Sequence, residues 1–231
     1  TNKIIIKPNV YSWRNITVYN AFLNSYNYQR NLDSHMMKNT EWGAVVYLNN
    51  DSTSLTGYSS LPNNAQHSYP GVYGTGENYN NSYNTQVGYL ATTTGNIGGI
   101  YDMSGGAWEY VAGYISGNVG SSGFNTTTIS NYDEKYFDIY NASSNVSSYQ
   151  YRILGDAIGE LGPFKGFYDV DGQSRIHSEW YNNNAHFIDA SYPWLGRGGR
   201  YIYGVLGGSL CFVRYTGDVD VDGTYRIVLA P

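Results

Sequence analysis

Three long stretches of the chain, residues 49–95, 116–150 and 155–192, carry no sustained apolar period of either 3.6 or 2 residues. Without such a period a segment cannot bury one face of a regular element, so these stretches read as irregular loop. Loops of that length in a compact domain are packed or functional rather than simple connectors. The elements that remain are short. A helix is expected from Ser12, capped by that hydroxyl, with Trp13, Ile16, Val18, Phe22 and Leu23 as its stripe. A second is expected over Lys38–Leu48, capped by Asn39 or Thr40, with Trp42, Val45, Val46 and Tyr47 on its buried side. Residues 1–10 read as a short strand ended by Pro8, and a short apolar segment spans Tyr136–Tyr140. Late apolar runs at Tyr201–Tyr203, Leu210–Tyr215 and Tyr225–Leu229, separated by Gly-containing turns, read as antiparallel strands. Two helices, long irregular loops and a late antiparallel sheet make an α+β chain. With no charge shift or Pro-rich linker, residues 1–231 are expected to form one domain.

Charged residues are only 13% of the chain, against roughly 25% in a typical soluble protein. Polarity comes instead from Asn, Ser, Thr, Gly and 26 Tyr, set against 7 Phe. Tyr brings a large contact area at low entropic cost, as at recognition surfaces, or packs on strands. The net charge of −5, with no run of Lys or Arg, repels a phosphate backbone and argues against nucleic acid as a partner. No apolar stretch approaches 18 residues, so this segment is not expected to insert directly into a membrane. The chain starts at Thr1 with a short apolar run, Ile4 to Ile6, and an export or anchor segment is expected upstream. The single cysteine, Cys211, excludes an internal disulfide. That is compatible with export in an organism that rarely uses disulfides, and equally with a cytoplasmic chain.

Four segments, in chain order, carry a family resemblance. They are Met37-Lys38-Asn39-Thr40-Glu41-Trp42; Gly99-Ile100-Tyr101-Asp102-Met103-Ser104-Gly105-Gly106-Ala107-Trp108-Glu109-Tyr110; Trp194-Leu195-Gly196-Arg197-Gly198-Gly199; and Tyr225-Arg226-Ile227-Val228-Leu229. The second is similar to the Gly-Leu-Tyr-Asp-Met-x-Gly-Asn-Val-Trp-Glu-Trp signature of the formylglycine-generating enzyme family, whose fold is a variant of the C-type lectin. The first resembles that family's helix motif, the third its Arg-Gly-Gly turn, and the fourth its closing strand. The resemblance implies a C-type-lectin-like fold. Read physically, Trp108 is an apolar anchor, and Arg197 and Arg226 are donors able to tie carbonyls or carboxylates across loops.

The resemblance does not extend to the chemistry. The family's oxidase holds copper between two cysteines on the strand after Arg-Gly-Gly, and the matching positions here are Tyr203 and Gly208. Cys211 lies three residues beyond the second and has no sulfur partner in the chain. The iron-dependent relatives need a His-rich triad, whereas His35, His67, His177 and His186 have no ligand spacing. The carboxylates Asp156, Glu160, Asp169 and Asp171 have no spacing that singles out a glycosidase pair over solvated side chains. No enzyme is expected, and no cofactor is required. A structural calcium is the metal that the resemblance implies, through the Asp102 and Glu109 side chains and the Gly105 and Ala107 carbonyls, all hard oxygen donors. Asp218-Val219-Asp220-Val221-Asp222-Gly223 opens like an EF-hand loop, but its twelfth position is Leu229, and a solvated turn is expected.

Non-catalytic chains of this fold include variable proteins of diversity-generating retroelements, phage receptor-binding proteins and surface adhesins. In them the stretch after Arg-Gly-Gly carries the ligand contacts. Here Leu210 and Phe212 alternate with Cys211 and Val213, so one pair facing in sends the other out. The expected contact set is Ile202, Tyr203, Val205, Leu206, Ser209, Cys211, Val213, Arg214 and Tyr215. The function expected is that of a secreted or surface-displayed binding protein, extracellular or on a virion, engaging a protein or glycan on another cell. The alternative is a structural subunit of a surface filament or virion that self-associates through the same surfaces.

Overall fold

The computed structural model describes residues 12–48, 100, 103, 106–141, 152–170, 173–178, 183–200 and 207–230. The expected strand at 1–10 and the whole excursion at 49–95 lie outside them, as does the run at Tyr201–Tyr203.

The first helix, α1, spans Val18–Tyr28 and starts later than the sequence pattern predicts. Thr17 caps it, accepting the Asn20 amide on its hydroxyl at 3.3 Å. The residues before it are spent elsewhere. Asn15 sits at φ 60°, Ile16 bridges Asp220, and Trp13 is left 61% exposed. After the short strand β1 (His35–Met36), α2 runs from Asn39 to Leu48. Neither expected cap is used. Glu41 accepts the Lys38 amide at 2.8 Å, Asp138 accepts the Thr40 amide at 2.6 Å, and Asn39 turns inward to Tyr140. Two carboxylates at this N-terminus match the positive end of the helix dipole. Trp42, Val45 and Val46 are buried as expected, while Tyr47 is partly exposed.

The central strand is β2 (Trp108–Ile115), buried along its whole length. On one edge it pairs antiparallel with β6 (Trp194–Arg197), which pairs antiparallel with β7 (Phe212–Tyr215). Its other edge is shared end to end. The half at 108–110 pairs parallel with β8 (Gly223–Tyr225), and the half at 113–115 pairs parallel with β3 (Asp138–Tyr140). Met37 fills the gap between them, accepting the Ala112 amide at 2.9 Å. The sheet is therefore mixed rather than purely antiparallel, and the chain is α+β.

Both faces of β2 are covered. Val111 and Ile115 join Trp42, Val46, Leu195 and Phe212 beneath α2. Tyr110, Ala112 and Tyr114 join Val18, Phe22 and Trp194 beneath α1. Tyr is core material on that side: Tyr132 and Tyr136 pack edge-on against Tyr26 at 5.2 and 5.3 Å. The stretch 116–150 is less irregular than its sequence implies, holding the short helix α3 (Thr126–Ile129) and β3. So is 155–192, which holds a hairpin of β4 (Phe164–Val170) and β5 (Gln173–Ser178). The Asp171-Gly172 dipeptide between those strands is a strong hairpin signal in the sequence. At the C-terminal end, β9 (Ile227–Val228) pairs antiparallel with β1.

Candidate functional site

The Arg-Gly-Gly turn leaves β6 at its end and is stitched to the segment before β7. The Gly198 amide donates to the Cys211 carbonyl at 3.1 Å, and the Gly208 amide donates to the Gly198 carbonyl at 3.1 Å. Gly199 sits at φ +79°, and a Cβ there would lie 2.8 Å from Gly207 Cα, so only glycine fits.

The expected outward pair at Cys211 and Val213 does not face solvent. Leu210 and Phe212 enter the core under α2, as the alternation predicts. Cys211 and Val213 do point to the opposite face, but there they form a second cluster with Trp108 and Tyr215. Cys211 is 0% exposed and Val213 is 9% exposed. A period of two distributes side chains between faces without saying whether both are covered. Ser209 is also buried, and its carbonyl accepts the Trp42 indole N–H at 2.6 Å. Arg214 forms an ion pair with Asp189 and lies 5.0 Å from the Tyr192 ring centre. Tyr215 packs edge-on against Tyr110 at 5.3 Å. Ile202, Tyr203, Val205 and Leu206 lie outside the described residues.

The four motif segments meet around the N-terminal half of β2. Glu109, 6% exposed, receives a bidentate guanidinium from Arg226, Nε and Nη2 donating at 2.5 and 2.6 Å. Glu109 is also opposite Arg197 in the β2–β6 register. Arg197 is wholly buried and donates from Nη2 to the Ala157 carbonyl at 3.2 Å. Its guanidinium carbon lies 5.8 Å from the Trp42 ring and 5.7 Å from the Phe212 ring. Met37 donates its amide to the Arg226 carbonyl at 3.1 Å, so the first segment joins the fourth. Both arginines thus act as the ties that the sequence implies, one on a carboxylate and one on a carbonyl.

The donors expected for calcium are only partly in view. Asp102 and Gly105 lie outside the described residues, and Ala107 opens the turn into β2. Both Glu109 oxygens are engaged by Arg226, and a carboxylate held that way does not fit a calcium ligand. Among the described residues, no group of three or more His, Cys, Asp or Glu side chains is placed to hold a metal ion. At the EF-hand-like turn, Asp220 accepts the Asp222 amide at 2.7 Å and Asp222 pairs with Arg200 at 2.8 Å.

The remaining polar candidates are structural in their contacts. Asp156 is 1% exposed and accepts the Ile153 and Ile158 amides and the Tyr140 hydroxyl at 2.9, 3.1 and 3.1 Å. Burial pushes its carboxyl above the usual range, against the pull of those donors and of Arg197. Glu160 accepts the Tyr47 hydroxyl. Asp171 lies outside the described residues. His177 is buried on β5, where it bridges Asn184.

No family model, curated protein or solved structure matches the chain.

One enclosed feature was not legible in the sequence. A cleft of about 240 Å³ opens between the end of β2, α3 and the start of β3. The buried Tyr114, Val119, Ile129 and Phe137 line it together with the half-buried Tyr132 and the exposed Glu134. Its lining residues all fall within 114–139, a stretch of the sequence that carries no motif. Among the described residues, no helix is long and apolar enough to cross a membrane.

Proposed function

We propose that this chain is a non-catalytic, surface-displayed or secreted ligand-binding protein on a C-type-lectin-like scaffold of the formylglycine-generating enzyme type. The observation that carries this reading is the meeting of the four motif segments around Glu109 and Trp42, with a walled-in Cys211 as the only sulfhydryl nearby. Thiolate-pair copper chemistry needs two sulfurs, and the chain has one cysteine. The scaffold's ties are kept and the reactive pair is missing, which is the pattern of a binding module. Since the described part of the expected contact set is packed inward or half-buried, we assign ligand contact to Ile202, Tyr203, Val205 and Leu206 of that set, together with the half-buried Arg214.

The test is a binding screen of the intact domain against glycans and whole cells, repeated with Tyr203→Ala, Leu206→Ala and Arg214→Ala. Binding by the parent that falls about tenfold or more in at least one variant is expected for an anchor residue at a recognition surface. A ligand whose affinity ignores all three changes overturns the placement of the surface. Copper-dependent oxidation of a thiol substrate, lost in Cys211→Ser, overturns the non-catalytic reading. Growth of mass with concentration in light scattering, with no ligand found, transfers the same surfaces to self-assembly as a filament or virion subunit.

A further inference from the structure

His35 meets an acceptor at each of its ring nitrogens. Nδ1 lies 2.7 Å from the Asp33 carbonyl oxygen, and Nε2 lies 2.8 Å from Glu41 Oε1. A carbonyl and a carboxylate only accept, so both nitrogens must carry hydrogen and the ring is an imidazolium. In either neutral tautomer one nitrogen would turn a lone pair towards an oxygen. The ring is buried, so water does not take over the lost bond.

The segment that carries this ring is strained and short. Asp33 sits at φ 47°, in the left-handed region. Its carboxylate is held by the Lys135 ammonium at 2.8 Å and the Tyr136 hydroxyl at 2.5 Å, and its carbonyl by His35. Glu41 carries the ties on into α2, where its second oxygen accepts the Lys38 amide at 2.8 Å. Strands β1 and β9 form a sheet of their own with two residue pairs, His35 opposite Val228 and Met36 opposite Ile227. A pairing that short is marginal alone, and such a unit opens locally unless side chains hold it shut.

The neighbouring elements also bring Arg30, over the Tyr26 ring at 3.5 Å, and Asp138, which accepts the Thr40 amide at the start of α2. The pairing residues of β9, Ile227 and Val228, do not titrate. Of the groups named, His35 alone has an ordinary pKa near neutrality.

We propose that His35 is a proton-operated latch on the C-terminal clasp. With the ring charged, the Asp33 turn is drawn onto α2 and β1 is presented to β9; loss of the proton releases β9 while the central sheet stays folded. Burial opposes the charge, but the two hydrogen bonds outweigh it, and the ring keeps its proton to a higher pH than a solvated imidazole. The clasp is therefore closed below the ordinary histidine value and opens as pH climbs through the raised one. The latch does not depend on what the surface after Gly199 binds.

Amide hydrogen exchange of the intact domain, read by NMR and corrected for its intrinsic pH dependence, is compared at about pH 6 and about pH 9. The Met37 and Ala230 amides, donating to the Arg226 and Leu32 carbonyls at 3.1 and 2.9 Å, report on the clasp. The Ile115 amide, donating to the Pro193 carbonyl at 3.0 Å, reports on the central sheet. Protection at Met37 and Ala230 is expected to fall about tenfold or more, with a change below about twofold at Ile115. Unchanged protection at the clasp, or equal losses at all three amides, overturns the latch. The ring ¹⁵N signals of His35 are expected to show both nitrogens protonated at about pH 6, and a neutral ring there overturns it too. In His35→Gln the pH dependence of clasp protection is expected to vanish; a variant that keeps the parent's dependence assigns the opening to another group. Glu41→Gln leaves the imidazole in place with a weaker partner, so its clasp is expected to open at a pH lower by about 1, and an unmoved opening pH counts against the latch.

Discussion

Arg197 carries a charge into the middle of the molecule, where desolvation lowers its affinity for its proton while Asp156 and Tyr140 nearby act to restore it. Among the described residues, one hydrogen bond and two ring faces hold it, an arrangement that suits a planar, weakly hydrated guanidinium better than an ammonium. His35 is another buried titratable group. Burial alone would lower its pKa, but the bonds to the Glu41 carboxylate at 2.8 Å and the Asp33 carbonyl at 2.7 Å outweigh that, and the pKa is raised. For Glu41, burial is likewise outweighed by His35 and the Lys38 amide, and its pKa is lowered. A raised folded-state pKa contributes stability that is present below the unfolded value and lost as pH climbs through the folded one; a lowered carboxylate pKa does the reverse in acid. Stability is therefore expected to fall as pH rises above the ordinary histidine value of about 6.5, and separately as pH drops below the ordinary glutamate value of about 4.3. Denaturant midpoints across that range, compared with His35→Gln, check this: a variant that keeps the same alkaline slope removes His35 as its cause. The individual ties at Trp108, Arg197 and Arg226 were legible in the sequence because large anchors and forked donors have few uses. The direction of Cys211 was legible too, but not its burial, because what covers a sheet face comes from distant segments.

At the scale of elements, the close approach of α2 to the loop at 155–156 fixes how the helix lies on the sheet. A Cβ on Gly43 would sit 2.0 Å from the Gly155 carbonyl oxygen, so the helix can approach this closely only without a side chain there. In an exposed helix Gly→Ala stabilises by about 1 kcal/mol. Here Gly43→Ala is expected to destabilise by about 2–3 kcal/mol, because the helix must lift from the buried Asp156 loop. Chemical denaturation reads the sign directly, and a variant as stable as the parent would mean the contact is looser than described. The helix α2 was legible in the sequence because its apolar period and first-turn Glu41 agree. The start of α1 was misplaced because Ile16, which continues the apolar stripe on paper, pairs with Asp220 across the chain. Strand β2 went unread for the opposite reason: buried on both faces, it shows no alternation. The β4–β5 hairpin was hidden in a polar stretch, marked only by the Asp-Gly dipeptide in the sequence.

The ends of the described chain close on each other, and that closure organises the whole molecule. β1 and β9 pair antiparallel, the Ala230 amide donates to the Leu32 carbonyl at 2.9 Å, and Met37 links Arg226 to the edge of β2. The closing strand is thereby bonded at once to the N-terminal segment and, through Arg226, to Glu109 in the central strand. Losing that guanidinium removes a bidentate partner from a buried carboxylate, and breaking a fully buried pair costs about 3–5 kcal/mol. Arg226 keeps a side-chain exposure of 24%, so water recovers part of the loss, and Arg226→Met is expected to cost about 2–3 kcal/mol. For a chain of 231 residues this corresponds to a fall in Tm of roughly 4–12 °C. Adding Glu109→Gln to Arg226→Met removes the stranded charge, so the double variant is expected to be more stable than the single one. Because the tie spans both ends and the sheet centre, unfolding followed by Trp fluorescence and by far-UV circular dichroism should remain coincident in the parent and separate in Arg226→Met. A single variant within about 0.5 kcal/mol of the parent, or a double variant worse than the single, would mean that the pair only decorates a closure held by backbone bonds alone.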